Sequence, residues 1–278
     1  MTNLTLKKVT PHCGAELHGV DLANPTNSDM EAIRDAYHEY GVVFFRNQNL
    51  TPEDHIAFAR RWGDIDINKF FPANGEYPEI AEVRKEKTQT TNIGGGWHTD
   101  HSYDQIPAMG SVLVARELPE TGGDTLYASM YAAYDSLSDG LKKTLGSLRA
   151  VHSNVKAFGA AGLYKNSDQG GGFKGSDLVG EAVHPVVITH PLSGKKALYV
   201  NPGFTMHFEG WTEEESQPLL NFLYAHAARP EHTCRFVWQP GSVAFWDNRA
   251  TWHFAVNDYH GHSRLMHRIT IAGEALAA

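Results

Sequence analysis

Two histidines, one aspartate and a late arginine form the most reactive-looking set of side chains in this sequence. Trp97-His98-Thr99-Asp100 offers an imidazole and a carboxylate two positions apart. On an extended strand, side chains at i and i+2 leave the same face, so both could reach one ion. Alone, an H-x-D triplet reads equally well as a packed histidine beside a loop acid. It gains weight from His253, in the segment FWDNRATWHFAVNDY. Two imidazoles and a carboxylate on one side of an octahedral ion form the facial set that holds non-haem iron(II), with positions left for a co-substrate and oxygen. The same ligands also suit zinc. Arg264, eleven residues after His253 and expected on the next strand of the same sheet, favours iron. Its planar guanidinium suits a bidentate grip on a carboxylate, such as the far end of a 2-oxoglutarate chelating the metal. Thr125, in TGGDTLY, could add a hydroxyl to that grip. Taken singly, these two would be a surface arginine and an ordinary strand residue.

The elements that must position these residues change character along the chain. Leu4 to Val20 reads as a short strand and turn. Ser28 and Glu31 have capping-box spacing before an amphipathic helix that ends at Gly41, and the VVFFR run behind it reads as a buried strand. Thr51-Pro-Glu-Asp54 starts a second helix ending near Gly63, and Thr212 with Glu215 opens a third, over Thr212 to Ala225. From about residue 65, short strands alternate with Gly, Pro, Asp and Asn clusters, with a hairpin over His190 to Lys195. This pattern indicates a mainly β, double-sheet barrel or sandwich with flanking helices. The glycine-rich stretch Phe158 to Gly180 is too long for a tidy turn, and we expect a lid-like insertion over 155–182.

Lys plus Arg number 24 against 32 Asp plus Glu, and a net charge of −8 speaks against nucleic acid or an anionic membrane as a partner. Two cysteines, Cys13 and Cys234, are too few for a disulfide scaffold and fit a reducing compartment. The first residues show no apolar run of a signal peptide, so a cytoplasmic location is expected. The expected organisation is a single domain over 1–278, with a homodimer or homotetramer as the prior for assembly.

In these segments the sequence resembles the taurine dioxygenase family, the TauD/TfdA-like iron(II)/2-oxoglutarate-dependent dioxygenases. The resemblance runs from GAELHGVDL through WHTD, ARELPETGGDTLY, HPVVITHPLSGKKALYVN, WDNR and TWHF to RLMHRITIAG. It implies a double-stranded β-helix, or jelly roll, with iron(II) on His98, Asp100 and His253 and 2-oxoglutarate held by Thr125 and Arg264. It further implies oxidation of 2-oxoglutarate to succinate and carbon dioxide with hydroxylation of a small organic anion. Asp100, retained as a ligand, argues against halogenation. Arg268, four residues beyond Arg264, matches the family's arginine for the substrate anion. His101 and Tyr103 could line the entrance, with Asn68, Phe70, Phe71 and Phe158 as weaker candidates. The sequence departs from taurine dioxygenase where Asn68 stands for a sulfonate-binding histidine, Phe71 for its neighbouring tyrosine, and Gly94-Gly-Gly96 for a substrate-side asparagine. These losses of polar groups favour a less polar substrate: an alkylsulfonate, an alkyl sulfate ester or an aryloxyalkanoate. The VHSNVKAFG segment and the glycine-rich stretch look closest to the aryloxyalkanoate branch. A zinc-dependent hydrolase and a non-catalytic jelly-roll binding protein are the alternatives. Neither explains Arg264.

Overall fold

The runs Val42–Phe45 and Val243–Asp247 are buried at every residue, so their strands need a packed layer on each face. The computed structural model describes residues 4–169 and 179–278. Among these residues it places both runs in a nine-stranded sheet. The spatial order is β1 (Thr5–Lys8), β2 (Ala15–His18), β3 (Val42–Phe45), β15 (Val243–Asp247), β7 (Gly110–Glu117), β17 (Arg264–Ile271), β6 (Tyr77–Lys85) and β5 (Ala73–Asn74). β4 (Ile65–Asp66) pairs with β17 off this path. All pairings in this sheet are antiparallel except that of β2 with β3. Opposite it lies the set β14 (Thr233–Phe236), β8 (Thr125–Ser129) and β16 (Thr251–Ala255), and two further sheets are the set β10 (Glu181–Pro185), β9 (Arg149–Ser153) and β13 (Thr205–Phe208) and the hairpin β11 (Val187–Thr189) with β12 (Lys196–Leu198). The architecture is the expected jelly roll.

Strand alternation sorts the apolar side chains into layers. Val43, Phe45, Val112, Val114, Val243, Phe245, Ile269 and Ile271 face outward, under α1 (Asn27–Tyr40) and α2 (Pro52–Arg60). Their neighbours Val42, Phe44, Leu113, Ala244, Trp246 and Met266 face inward, where they meet Tyr127, Cys234 and Phe236 of the opposite sheet. A third cluster packs behind that sheet, against α3 (Met130–Asp135), α4 (Asp139–Leu145) and α6 (Glu213–Ala227). Arg264 and Arg268 share the parity of Met266 on β17, and so face the space between the sheets.

The helix ends follow capping chemistry, with one correction. α1 is capped by Thr26 and Asp29 rather than Ser28 and Glu31, because Asp29 Oδ2 accepts from both the Thr26 N–H and its hydroxyl. Thr212 with Glu215 forms the expected capping box, and Thr51, expected only to start a helix, makes one with Asp54 as well. α2 stops at Arg60, short of Gly63.

Of the expected lid over 155–182, residues 170–178 lie outside the described residues. Before them, α5 (Val155–Phe158) and the turns that follow are tied to the 89–94 loop. Tyr164 accepts the Gly94 N–H at 2.8 Å, Asp168 accepts from the backbone of Thr90 and Thr91, and Gln169 donates to Thr91 O at 2.7 Å. No helix among the described residues is long and apolar enough to cross a membrane.

Candidate active site

The His98–Asp100 segment is not the extended strand that its spacing suggested. His98 makes one isolated antiparallel bridge to His253, donating to its carbonyl at 3.2 Å and accepting from its N–H at 2.8 Å, and the chain turns at Asp100. The bridge brings the two imidazoles within 4.1 Å of each other, centroid to centroid. The turn carries Asp100 back between them, with Oδ1 3.6 Å from His98 Nε2 and Oδ2 3.6 Å from His253 Nε2. The three ligand atoms lie within 4.8 Å of one another, a spacing that suits a single metal ion. Among the described residues no other such cluster occurs.

Local contacts prepare these groups for a cation. His98 Nδ1–H donates to Gly96 O at 2.8 Å, which leaves Nε2 as a lone pair aimed at the cluster. Gly203 packs on the other side of His98, and a Cβ there would lie 2.8 Å from the histidine's own, so only glycine permits this approach. Burial alone would raise the Asp100 carboxyl. The Arg268 guanidinium, His253, His98 and His101 outweigh it and hold the group well below the ordinary carboxylate range. Burial, then the neighbouring His98, pushes His253 well below its usual value, so its ring is neutral and free to ligate.

Arg264 and His253 stand on facing sheets rather than on neighbouring strands of one, as the sequence suggested. Both point inward. Arg264 is buried, yet its Nε and one Nη find no hydrogen-bond partner among the described residues. Burial lowers its pKa, an effect that Tyr259, Tyr127 and Asp124 partly offset. Its guanidinium lies 5.7 Å from the Trp238 ring, and Trp238 Nε1–H donates to Thr125 Oγ1 at 3.0 Å. Thr125 and Arg264 are thus joined through one tryptophan that the sequence gave no reason to select. At Gly123 a Cβ would lie 3.2 Å from Arg264 Cδ, and φ there is +71°. This explains one glycine of the TGGDT segment.

A cavity of about 550 Å³ opens beside His98 and Asp100. All of the expected substrate residues line it: Asn68, Phe71, His101, Tyr103, Phe158 and Arg268, together with Phe70. Their availability differs. Asn68 Oδ1 accepts the N–H groups of Phe70 and Phe71, both at 2.9 Å, so it shapes a turn. His101 Nδ1 is held by Asp104 at 2.8 Å. Phe70 stacks on Phe158 at 4.6 Å, and Tyr103 meets Phe204 edge-on at 4.9 Å. Phe204, which sequence reasoning missed, is placed by the Asn201 side chain accepting its N–H at 2.9 Å. Arg268 is already paired with one of the candidate ligands. Its Nη2 donates to Asp100 Oδ2 at 2.8 Å and its Nε to Ser111 Oγ at 3.0 Å.

The model of the family described as "Taurine catabolism dioxygenase TauD, TfdA family" matches residues 5–270. The chain belongs to that family. Its members act with 2-oxoglutarate (α-ketoglutarate), and its chemistry implies iron, so the protein is an Fe(II)/2-oxoglutarate-dependent dioxygenase. It is 38% identical to an alkylsulfatase of Acinetobacter baylyi, over 98% of this chain and 86% of the relative. It is 34% identical to an α-ketoglutarate-dependent sulfate ester dioxygenase of Pseudomonas putida, over 98% and 90%. Among solved structures, a taurine dioxygenase from Burkholderia xenovorans superposes with a TM-score of 0.84 at 36% identity, covering 99% of this chain and 93% of its own.

The site fits the groups that this dioxygenase family implies. Two imidazoles and a carboxylate suit iron(II), and the buried, unpartnered donors of Arg264 suit a carboxylate co-substrate.

Proposed function

We propose that His98, Asp100 and His253 hold iron(II), that Arg264 and Thr125 hold the far carboxylate of 2-oxoglutarate, and that the substrate is an alkyl sulfate ester oriented by Arg268. The observation that carries this reading is the pair of unpartnered donors on buried Arg264, in the same interior as a histidine–aspartate–histidine cluster. A zinc hydrolase has no use for such an arginine.

Iron(II) with 2-oxoglutarate and oxygen supplies an oxidant able to hydroxylate a C–H bond, with succinate and carbon dioxide as co-products. The chain's residues determine where that bond lies. His98 is fixed in the ligating tautomer by Gly96, and Asp100 is kept ionised and oriented by Arg268. Trp238 donates to the Thr125 hydroxyl and so turns it toward a fixed direction beside Arg264. Phe70, Phe71, Phe158 and Phe204 give the cavity apolar walls that suit an alkyl body and exclude water. Arg268 is the buried cation on those walls, and a sulfate head could share its guanidinium with Asp100. Hydroxylation of the carbon bearing the ester oxygen gives an unstable adduct, which collapses to an aldehyde and inorganic sulfate. The names of the two relatives at 38% and 34% identity support the sulfate ester over the sulfonate and the aryloxyalkanoate. We take 1–278 as a single domain, since β1 to β3 pair into the same sheet as β17.

The test is succinate formation by Fe(II)-loaded protein offered medium-chain alkyl sulfates, alkylsulfonates or aryloxyalkanoates, with inorganic sulfate measured alongside. Succinate and sulfate released in equal amounts with the alkyl sulfate support the reading. Stronger stimulation by an aryloxyalkanoate, with release of a phenol, would replace it.

A further inference from the structure

Tyr127 links His253 to two side chains that, like Tyr127 itself, the proposed function leaves unused. On β8 it pairs across the ladder with His253 of β16 on one side and Cys234 of β14 on the other. Directly opposed residues of an antiparallel ladder share a face, so all three point into the space between the sheets. The Tyr127 ring lies 6.3 Å from that of His253, and its buried hydroxyl finds no hydrogen-bond partner among the described residues. Behind it, Cys234 Sγ is 3.5 Å from the Sγ of Cys13, which the β1–β2 turn brings in from the other end of the chain. Both thiols are buried. Burial, then contact with Cys234, raises the pKa of Cys13, so this thiol is protonated and inert toward solutes from outside. A candidate metal ligand, a phenol and a dithiol therefore stand in line within an apolar interior.

We propose that when 2-oxoglutarate and oxygen react with no substrate in the cavity, Cys13 and Cys234 supply the missing electrons through Tyr127 and close into a disulfide. The inference rests on the dioxygenase reading above. In productive turnover one oxygen atom enters succinate and the other enters the substrate. Without substrate, the second atom must take up two electrons and two protons and leave as water. The two thiols provide both: 2-oxoglutarate, oxygen and two thiols give succinate, carbon dioxide, a disulfide and water. Two S–H bonds break and one S–S bond forms. Twice in succession the Tyr127 phenol gives up an electron with its proton and regains both from the thiol pair, one thiol each time, so it is unchanged overall. The sulfurs must close from 3.5 Å to about 2.0 Å, a side-chain adjustment. This makes the pair a sacrificial reductant that spares His253 and Trp246, whose rings are 4.7 Å apart.

The experiment exposes the anaerobic, Fe(II)-loaded full chain with 2-oxoglutarate to oxygen without substrate. Succinate is measured, and the cysteines are mapped by mass spectrometry after denaturing alkylation. The expected result is succinate together with loss of both free thiols and a Cys13–Cys234 cross-linked peptide pair lighter by two hydrogens. A Tyr127→Phe protein that still binds 2-oxoglutarate should form succinate while keeping both thiols. Hydrogen peroxide added to the metal-free protein should also leave them reduced. Succinate formed by the unmodified protein with both thiols intact overturns the inference while leaving the dioxygenase reading standing. Equal cross-linking in Tyr127→Phe, or by peroxide alone, overturns the route. Absence of succinate without substrate also overturns the inference, since no oxidant then forms to draw on the thiols, and leaves the dioxygenase reading to the substrate assay above.

Discussion

Replacing Arg264 with methionine should stabilise the ligand-free protein and abolish its response to 2-oxoglutarate. The guanidinium is buried, and two of its donors lack partners among the described residues. Asp124, the acid that acts on it, is itself engaged by Arg235 Nε at 2.6 Å. Each buried, unpaired donor costs about 1–3 kcal/mol. Methionine keeps much of the stem that packs on Gly123 and Trp238, so removing the charge should raise ligand-free stability by about 1–3 kcal/mol. In the unmodified protein, 2-oxoglutarate at about one hundred times its dissociation constant should add about 2.7 kcal/mol, which Arg264→Met should not gain. Urea denaturation under anaerobic conditions with manganese(II), with and without 2-oxoglutarate, reads both effects. The reasoning fails if ligand-free Arg264→Met is less stable by about 2 kcal/mol or more and the unmodified protein gains nothing from 2-oxoglutarate, since the arginine would then be structural.

Arg268, four residues along the same strand, should respond in the opposite sense. It pairs with buried Asp100 at 2.8 Å, so Arg268→Met should cost about 3–5 kcal/mol without metal, and added metal should restore part of that loss in the same denaturation assay. Asp247 accepts from both His190 Nε2 at 2.9 Å and Arg249 Nη2 at 2.8 Å in a fully buried triad, and Asp247→Ala should likewise cost about 3–5 kcal/mol by urea titration. His55 and His152 are both buried, and burial lowers the pKa of each to about 3. Their folded pKa lies below the unfolded value of about 6.5, so the unfolded chain binds more protons between these limits. Stability is therefore whole above about pH 6.5 and is lost as pH falls toward 3, with each histidine contributing about 1.4 kcal/mol per pH unit. His152→Gln should reduce that slope by one proton's worth across a pH series of melting curves.

Much of this site could be read from residue types, because its chemistry is concentrated in few side chains. His98, Asp100 and His253 could be selected together since their combination has few other uses, and the structure brings them within bonding reach of one ion. The path by which they meet was not legible. Convergence was expected from strand alternation, but it comes from one backbone bridge and a turn. Period-two spacing cannot distinguish these arrangements, because both leave residues i and i+2 on one side. Arg264 was assigned to the sheet of His253, yet it comes from the opposite one. Local sequence carries no information about which of two sheets a strand joins. Arg268 illustrates the same limit: the resemblance implied an anion-binding role for it, but its pairing with Asp100 depends on a contact across 168 positions. Trp238, Tyr127 and Phe204 carried no signal, since an aromatic residue in a strand or turn reads first as core. The helix starts at Thr51 and Thr212 were legible because capping is local, and the α1 cap lies two residues before the expected Ser28 because two overlapping boxes compete there.

The central claim is that one histidine–aspartate–histidine cluster holds the iron to which 2-oxoglutarate binds. Anaerobic calorimetric titration of the metal-free protein with iron(II), then with 2-oxoglutarate, tests it directly when repeated on Asp100→Ala. One iron per chain followed by one 2-oxoglutarate, with both events lost in Asp100→Ala while the variant keeps its native circular dichroism, is the predicted result. Unchanged iron and 2-oxoglutarate binding by the folded variant would contradict it.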